Sequence, residues 1–500
     1  MTTDRFDLSE PVPAAADLGR VHFIAIGGAG MSGVARLMLA AGVPVSGSDA
    51  KDSQALRGLE AAGARVQVGH DPGHVAGVDT VVVSSAIRED NVELAAARTA
   101  GLRVLHRSQG LAALTRGRQV VAVAGANGKS TTTSMLVVAL TEAGADPAFA
   151  SGAEIPALGT NAALGTGESF VIEADESDGT FVVYRPDVAV VTNVQPDHLD
   201  FYGDFAGVQA AYRRFVDSMP SDGLLVACAD DAGARGLAEY ARADGRRVLT
   251  YGTASDTDIR ISDCAPTETG GRARLSVGGA DHDLVLEVPG QHNLENAAGA
   301  FGALTRGCGL TDRTALSGLG AFTGAARRFE SHGDPAGIRV IDDYAHNAPK
   351  VRAAVRTGAE VAARRGGRLV VIFQPHLYSR TRDFADGFAE GLAAADEVIL
   401  LDVYGAREDP VEGVSSELIA EPLRAAIGTD AVHRPADFDR AAETALRLVR
   451  PGDVLMTVGA GDVTVLASRI ATVLDSTDHD STDHGSTDHD SHDHHGDERP

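Results

Sequence analysis

Tryptophan is absent from this sequence, and aromatic residues make up only 5% of it. No apolar run approaches the ~18 residues that a membrane-spanning helix requires, so no membrane insertion is expected. The three cysteines, Cys228, Cys264 and Cys308, are widely spaced and form no CxxC pair. That excludes a disulfide framework or a zinc knuckle and favours reduced thiols. The first residues, "MTTDRFDLSEPVPAAADL", carry acids and prolines where a signal peptide has a basic start and an apolar core. A cytoplasmic location is therefore expected. Net charge is −26. Nine acids and one arginine fall between Asp475 and Pro500, but the rest of the chain is acidic too. A nucleic-acid partner would need a basic footprint, which this balance argues against. Lysine is the scarcest of the common charges: Lys51, Lys129 and Lys350 are three among 44 basic residues.

What is present is a rhythm of short β-branched runs separated by helical stretches, the pattern of βαβ units and parallel sheets. "VHFIAI", "PVSGSD", "TVVVSSA" and "RVLHR" form a first block. "VVAVAG", "SFVIEAD", "DVAVVTNV" and "LLVACADD" form a second, followed by "DIRISDCA", "RARLSVGG" and "HDLVLEVPG", which read as an antiparallel meander. "GIRVIDDYA", "RLVVIFQPH", "ADEVILLDVY" and "DVLMTVGAG" form a third. The expected fold is α/β with three domains: a Rossmann-like one over 1–117, a P-loop ATPase-like one with added antiparallel strands over 118–325, and a second Rossmann-like one over 326–475. From 476 to 500 the unit "STDH" recurs at a five-residue step with nothing apolar, a composition that cannot bury a core and predicts disorder.

The rare Lys129 sits in "VVAVAGANGKSTTTSML". A strand leads into Gly125, Ala126, Asn127 and Gly128, and a helix leads out from Ser130 and Thr131. Glycines allow a tight turn whose N–H groups point inward, and the helix N-terminus adds positive potential. A compact ammonium suits the β/γ-phosphates of a triphosphate, and a hydroxyl from Ser130 or Thr131 suits Mg²⁺. The full GxxxxGK[ST] form is not met, because position 123 is valine. In the first block Gly28, Gly30 and Gly33 follow a strand, with Gly27 before them and Asp49 about twenty residues on. That turn cradles any diphosphate, so NAD and a UDP-sugar both remain open on the local motif. "EADESD" places Glu173, Asp175, Glu176 and Asp178 at a strand end, where Glu173 suits Mg²⁺. Asp197, His198 and Asp200 follow the next strand, His198 being a metal ligand or a polar cap. His292, Asn293 and Asn296 open a helix, where asparagine reads a base edge or caps the turn. Arg327 and Arg328 stand at the third-domain boundary. Asp343, His346, His376 and Arg380 lie at two strand ends of the third block and suit an anionic substrate.

Taken in order, "GGAGMSG", "GSD", "SSAI", "AGANGKSTTT", "EADESD", "VTNVQPDHLD", "PGQHNLENA", "RRFE", "DDYAHN", "FQPHLYSRT" and "VGAGD" resemble the Mur ligase family of ATP-dependent amide ligases. The resemblance spans nearly the whole chain short of the tail. It is greatest to the branch that joins L-alanine to UDP-N-acetylmuramate. It implies that Gly125, Ala126, Asn127, Gly128, Lys129, Ser130 and Thr131 bind ATP phosphates, that Asn293 reads adenine, that Arg327 meets the γ-phosphate and that Asp343 meets the ribose region. Ser130 and Glu173 would hold one Mg²⁺, and His198 would approach a second. Gly27, Gly28, Gly30, Met31, Ser32, Gly33, Asp49, Ser84, Ser85 and Arg107 would receive the UDP-sugar. His346, His376 and Arg380 would border the carboxylate and the incoming alanine. The chain departs from the familiar pattern at Ala126-Asn127 (Thr-His), Ser130 (Thr), Gln195 (an acid), Asn347 (His) and Leu377 (Arg). No lysine lies between Lys129 and Lys350, which excludes from the central domain the carbamylated lysine of related ligases.

The implied reaction is phosphorylation of the muramoyl carboxylate by ATP, then attack of alanine's amine on the acyl phosphate, with His346 as a candidate base. Lys129, Glu173, His198, Arg327 and His346 are the candidate catalytic set. A monomer or homodimer is expected. Two other readings stand beside it: a relative that attaches a recycled peptide to the same UDP-sugar, and an NAD-dependent oxidoreductase built on the first block. If Lys129 is chosen for its compact ammonium, Lys129→Arg loses most ATP-dependent phosphate release; an unchanged rate in that assay would remove the argument.

Overall fold

The computed structural model describes residues 5–8, 11–406 and 408–482. The chain divides into two compact units, Met1–Ala326 and Arg327–Pro500.

The first unit holds two sheets. One is parallel and five-stranded, in the spatial order Arg65–Val68, Val45–Asp49, Val21–Ile24, Thr80–Val83, Arg103–His106. Strand order reverses between Val21–Ile24 and Thr80–Val83, which opens a crevice at their carboxyl ends, the usual place for a ligand in such a sheet. The edge strand Arg65–Val68 has no fully buried residue, so it carries no apolar run for sequence reading to find.

The other sheet has ten strands: Ala280–Leu286, Gly271–Val277, Ile259–Pro266, Arg247–Gly252, Leu224–Cys228, Val188–Val191, Gln119–Ala124, Ser169–Glu173, Ala148–Ile155 and Thr160–Ala163, in that spatial order. Its centre is parallel, and Val121, Val123, Val171 and Val190 are fully buried there. Near-continuous apolar strands are what two helix-covered faces require. The expected meander is antiparallel and extends this same sheet from the parallel strand Ile259–Pro266. At the opposite edge, Ala148–Ile155 and Thr160–Ala163 pair antiparallel. Their alanine- and glycine-rich sequences have little β-propensity, and pairing with Ser169–Glu173 decides their conformation.

Among the described residues the second unit has six strands, ordered Glu330–Ser331, Arg339–Asp343, Val454–Val458, Leu369–Phe373, Glu397–Leu400, Val432–His433. Alternate residues face opposite layers. Val371, Phe373, Met456 and Val458 pack with Val351 and Val355 of the helix Ala348–Arg365. Val370, Ile372 and Leu455 pack with Ala441, Ala445, Leu466 and Ile470 on the other face. The helix Ala348–Arg365 begins where the Asn347 side chain accepts from Lys350 N, has Pro349 in its first turn, and stops at Gly366.

The helix Thr464–Thr482 runs into the segment read from sequence as disordered from 476. Its apolar residues Leu466, Ile470 and Leu474 are buried, and a nucleated helix propagates at one bond per residue. Residues 483–500 of that tail lie outside the described residues. No helix among the described residues is long and apolar enough to cross a membrane.

Phe373 is fully buried and Phe384 is 56% exposed. Phe373→Ala is expected to destabilise the second unit by ~3–5 kcal/mol, and Phe384→Ala by under ~0.5 kcal/mol. Urea midpoints for the two variants check the difference.

Candidate active site

The loop after the strand Gln119–Ala124 is shaped by two glycines with positive φ, Gly125 at 143° and Gly128 at 83°. A Cβ on Gly125 would stand 2.0 Å from Thr192 Oγ1, and one on Gly128 2.6 Å from Asn296 Oδ1. Both positions therefore need glycine for space as well as for backbone conformation. The neighbouring strand end clamps the turn between them. Asn193 Oδ1 accepts from Asn127 N at 2.9 Å, and Asn127 O accepts from Thr192 Oγ1 at 2.6 Å and Asn193 Nδ2 at 3.0 Å. Asn127 Nδ2 donates to Gln195 Oε1 at 3.2 Å, so two of the departures from the family pattern meet each other.

Lys129 begins the helix Lys129–Glu142, and its Nζ donates to Gly125 O at 2.6 Å and Glu176 Oε1 at 2.9 Å. Burial works against this ammonium, but the carboxylates of Glu176, Asp175 and Glu173 outweigh it, and its pKa lies above the ordinary lysine value. Burial lifts the Glu176 carboxyl, against the pull of Lys129. Ser130 Oγ donates to Glu173 Oε1 at 2.9 Å, and Glu173 Oε2 accepts from Gly152 N at 2.6 Å. A hydroxyl and a carboxylate side by side are the oxygen donors that Mg²⁺ takes. Donor atoms of Glu176, Asp197 and His198 lie within 4.8 Å of one another, a second group with metal-ligating chemistry. His198 has the left-handed backbone of a residue held for its position, φ 53°. Asn293 is buried and its Nδ2 donates to Pro289 O at 2.6 Å; Thr131 is partly buried.

The glycine-rich turn of the first sheet is assembled by contacts that sequence reading placed only in part. Gly27 N donates to Asp49 Oδ2 at 2.9 Å. A Cβ on Gly30 would stand 2.1 Å from Arg107 Nη1, so the guanidinium lies directly on the start of the helix Ala29–Ala40. Met31 and Ser32 are buried beneath the turn, Met31 in the apolar core, and Gly33 faces Ala162. Any contact from Met31 to a ligand must then come from its backbone. Ser84 O accepts from Ile87 N at 3.1 Å. Ser85 Oγ donates to Asp178 Oδ2 at 2.5 Å and lies 3.0 Å from His106 Nε2. Burial lowers His106 to about 4, although Asp178 pulls the other way. Arg107 Nη2 donates to Asp175 Oδ2 at 3.3 Å. The run 173–178 thus serves both sheets: Glu173 bonds to Ser130 and Glu176 to Lys129, while Asp175 bonds to Arg107 and Asp178 to Ser85. Sequence reading found the acids but not these partners.

In the second unit, Arg327 is held by Asp342 at 3.2 Å and Gly459 O at 2.7 Å, with its guanidinium 4.8 Å from the centre of the Tyr344 ring. Asp342 is fully buried and also accepts from Thr457 and Thr464. Asp343 accepts from Phe329 N at 2.9 Å and Ala345 N at 2.8 Å, and burial raises its pKa against the charge of Arg328. His346 and His376 have ring centroids 5.9 Å apart, and Arg380 Nη1 donates to His346 O at 3.2 Å. These three expected residues therefore form one cluster, with Tyr404 stacked on His376. Leu377, at φ 73°, donates its N–H to Tyr404 O at 2.9 Å.

Residues 20–119 match the Mur ligase family catalytic domain, 123–304 the Mur ligase middle domain, and 327–461 the Mur ligase glutamate ligase domain. The chain belongs to the Mur ligase family. It is 51% identical over 468 residues to the UDP-N-acetylmuramate–L-alanine ligase of Paenarthrobacter aurescens (strain TC1), covering 93% of this chain and 100% of that one. It is 52% identical over 459 residues to the enzyme of the same name from Renibacterium salmoninarum, covering 92% and 96%. Among solved structures it is similar to the UDP-N-acetylmuramate–alanine ligase of Thermotoga maritima, with TM-score 0.75, 27% identity, and 92% and 99% of the chains covered. A murein peptide ligase from Psychrobacter arcticus aligns with TM-score 0.65 at 25% identity, over 91% and 99%.

Membership in the Mur ligase family corrects the oxidoreductase reading of the glycine-rich turn. The geometry gives the physical reason. In a dinucleotide site the acid after the second strand bonds a ribose; in this Mur ligase Asp49 accepts from Gly27 N, and a guanidinium covers Gly30.

Burial first, then Lys350, Arg380 and His376, hold His346 at about 3, so it is neutral at neutral pH. The folded chain binds fewer protons there than the unfolded chain between about pH 3 and the ordinary histidine value near 6.5. Stability in this term is complete above that window and is lost as pH falls through it. His346→Gln should therefore gain on the wild type on going from pH 7 to pH 5; urea midpoints of both proteins at the two pH values measure it.

Proposed function

We propose that this Mur ligase joins L-alanine to the carboxylate of UDP-N-acetylmuramate, driven by ATP, in the cytoplasmic stage of peptidoglycan synthesis. The observation that carries the chemistry is the buried Lys129 ammonium in its glycine-shaped loop, one residue from the Ser130–Glu173 pair. The acceptor is supported by relatives of that name at about half identity over more than nine-tenths of the chain.

The residues divide the work. Lys129 and the backbone N–H groups of its loop bind and orient the triphosphate. Ser130 with Glu173 would hold one Mg²⁺, and His198 with Glu176 and Asp197 a second. Mg²⁺ bound there offsets phosphate charge as the γ-phosphoryl group passes to the muramoyl carboxylate. The Gly27–Gly33 turn, Asp49, Ser84, Ser85 and Arg107 hold the UDP-sugar. His346, His376 and Arg380 receive the carboxylate and alanine. A neutral amine is needed to attack the acyl phosphate, and His346 is the candidate base beside it, although the downward shift of its pKa, from burial first, works against that role. The tetrahedral adduct then expels phosphate. Arg327 would reach the γ-phosphate by exchanging its contact with Asp342, and Asn293 and Asp343 would border adenine and ribose.

Purified protein with ATP, Mg²⁺ and UDP-N-acetylmuramate is expected to release phosphate on addition of L-alanine. Little release is expected with a tripeptide, glycine or serine. A larger rate with the tripeptide would replace this reading by peptide recycling, and one with glycine or serine would change the amino acid.

A further inference from the structure

Behind the glycine-rich turn of the first sheet lies a charge that the functional reading does not use. Glu93, at the start of the helix Val92–Thr99, is fully buried. Each of its oxygens meets two donors. Oε2 accepts from Ser48 Oγ at 2.6 Å and lies 3.0 Å from His70 Nδ1. Oε1 lies 2.6 Å from His74 Nδ1 and accepts from Asp71 N at 3.3 Å. An ionised carboxylate is an acceptor only, so each Nδ1 facing it carries the hydrogen. His22, also fully buried, closes the wall with Nε2 3.9 Å from Oε2. Burial works to raise the Glu93 pKa, but His22, Ser48, His74 and His70 outweigh it and hold the carboxyl at about 2.

Burying an anion costs more than burying a neutral amide of the same shape. What this charge fixes is the surroundings of Asp49. Ser48 precedes Asp49 in the strand Val45–Asp49. His70 follows Gly69, whose N–H donates to Asp49 O at 2.7 Å. Glu93 thus grips the chain on both sides of Asp49. Ser48 O in turn accepts from Ile26 N at 2.9 Å, and Asp49 Oδ2 accepts from Gly27 N at 2.9 Å. Those two bonds join the strand end to the turn Gly27–Gly33.

We infer that Glu93 is a positioning residue for the UDP-sugar: it sets the place of Asp49 and, through Asp49, of the glycine-rich turn. The inference rests on the assignment of that turn to the UDP-sugar. Glutamine cannot replace the carboxylate, because its amide nitrogen would face donors and leave them unmatched. Either Ser48 or the loop 70–74 is then released, while the pairing of Val21–Ile24 with Val45–Asp49 remains. The loss falls on the sugar nucleotide, since the Lys129 loop belongs to the other sheet of the unit.

Steady-state phosphate release and calorimetric binding by the full chain test this. Glu93→Gln should raise KM for UDP-N-acetylmuramate and weaken its binding roughly five- to tenfold, with kcat and KM for ATP and L-alanine within about twofold of wild type. Asp49→Ala removes the group through which Glu93 acts, so adding Glu93→Gln to Asp49→Ala should weaken binding no further. A merely structural carboxylate predicts a fall in kcat, a rise in all three KM values, or losses that add in the double variant. Any of these overturns the inference. Should Glu93→Gln fail to fold, Ser48→Ala carries the same cycle with Asp49→Ala and the same outcomes, because it leaves the charge with its other three donors. Ser46→Ala is the control: Ser46 Oγ contacts His22 rather than Glu93, and a KM rise equal to that of Ser48→Ala overturns the inference too. A wild type that does not bind UDP-N-acetylmuramate removes the functional reading and the inference with it. Wild-type binding that Glu93→Gln leaves unchanged removes the inference alone.

Discussion

A buried ammonium is the constraint on which the first unit is organised. The Lys129 side chain is only 14% exposed, and burial of an unpaired charge favours loss of its proton. It stays charged because Gly125 O and the Glu176 carboxylate surround it and Asp175 and Glu173 lie close behind. The three carboxylates stand at the end of a different strand, so the site exists only when Gln119–Ala124 and Ser169–Glu173 are paired in register. The strand on the other side supplies Thr192 and Asn193, which fix the loop's backbone. Three adjacent strands of one sheet thus converge on one side chain.

The acidic turn that satisfies this lysine also reaches the other sheet of the unit. Ser85, His106 and Arg107 all contact Asp175 or Asp178. Most contacts between surface charges add little to stability, but these tie two separately built ligand turns to six consecutive residues. The second unit has its own focus. Asp342, Arg327 and the carbonyl of Gly459 join three strand ends, and the neutral His346 lies beside His376 and Arg380.

Much of the fold was legible wherever burial on both faces demands β-branched residues. "VVAVA", "DVAVV" and "RLVVIF" announce central strands because nothing polar fits there. Three strands that escaped notice have weak apolar patterns: Arg65–Val68 is an edge and half solvated, Ala148–Ile155 is rich in small residues, and Arg247–Gly252, inside the sheet, is buried only over its last three residues. The final helix outran its expected end because docking of Leu466, Ile470 and Leu474 sets its start, while composition describes only its last turns. Within the site, local chemistry was readable and pairing was not. Glycines beside Lys129 pointed to phosphate. Nothing in the order of residues told that Asn296 abuts Gly128, that Met31 turns into the core, or that Glu176 lies beside His198.

By itself, the order of residues determined the α/β class, the run of glycine turns and acidic strand ends, and the family, since each depends on local patterns: alternation of apolar runs, glycine where φ must be positive, and acids at strand ends. Tertiary structure alone decided which acid answers which cation. Asp175 and Glu176 are chemically equivalent neighbours, and only the packing of two sheets against one turn sends the first to Arg107 and the second to Lys129. Charge pairing acts through space over a few ångströms, and distance through space is the quantity that a linear sequence does not contain.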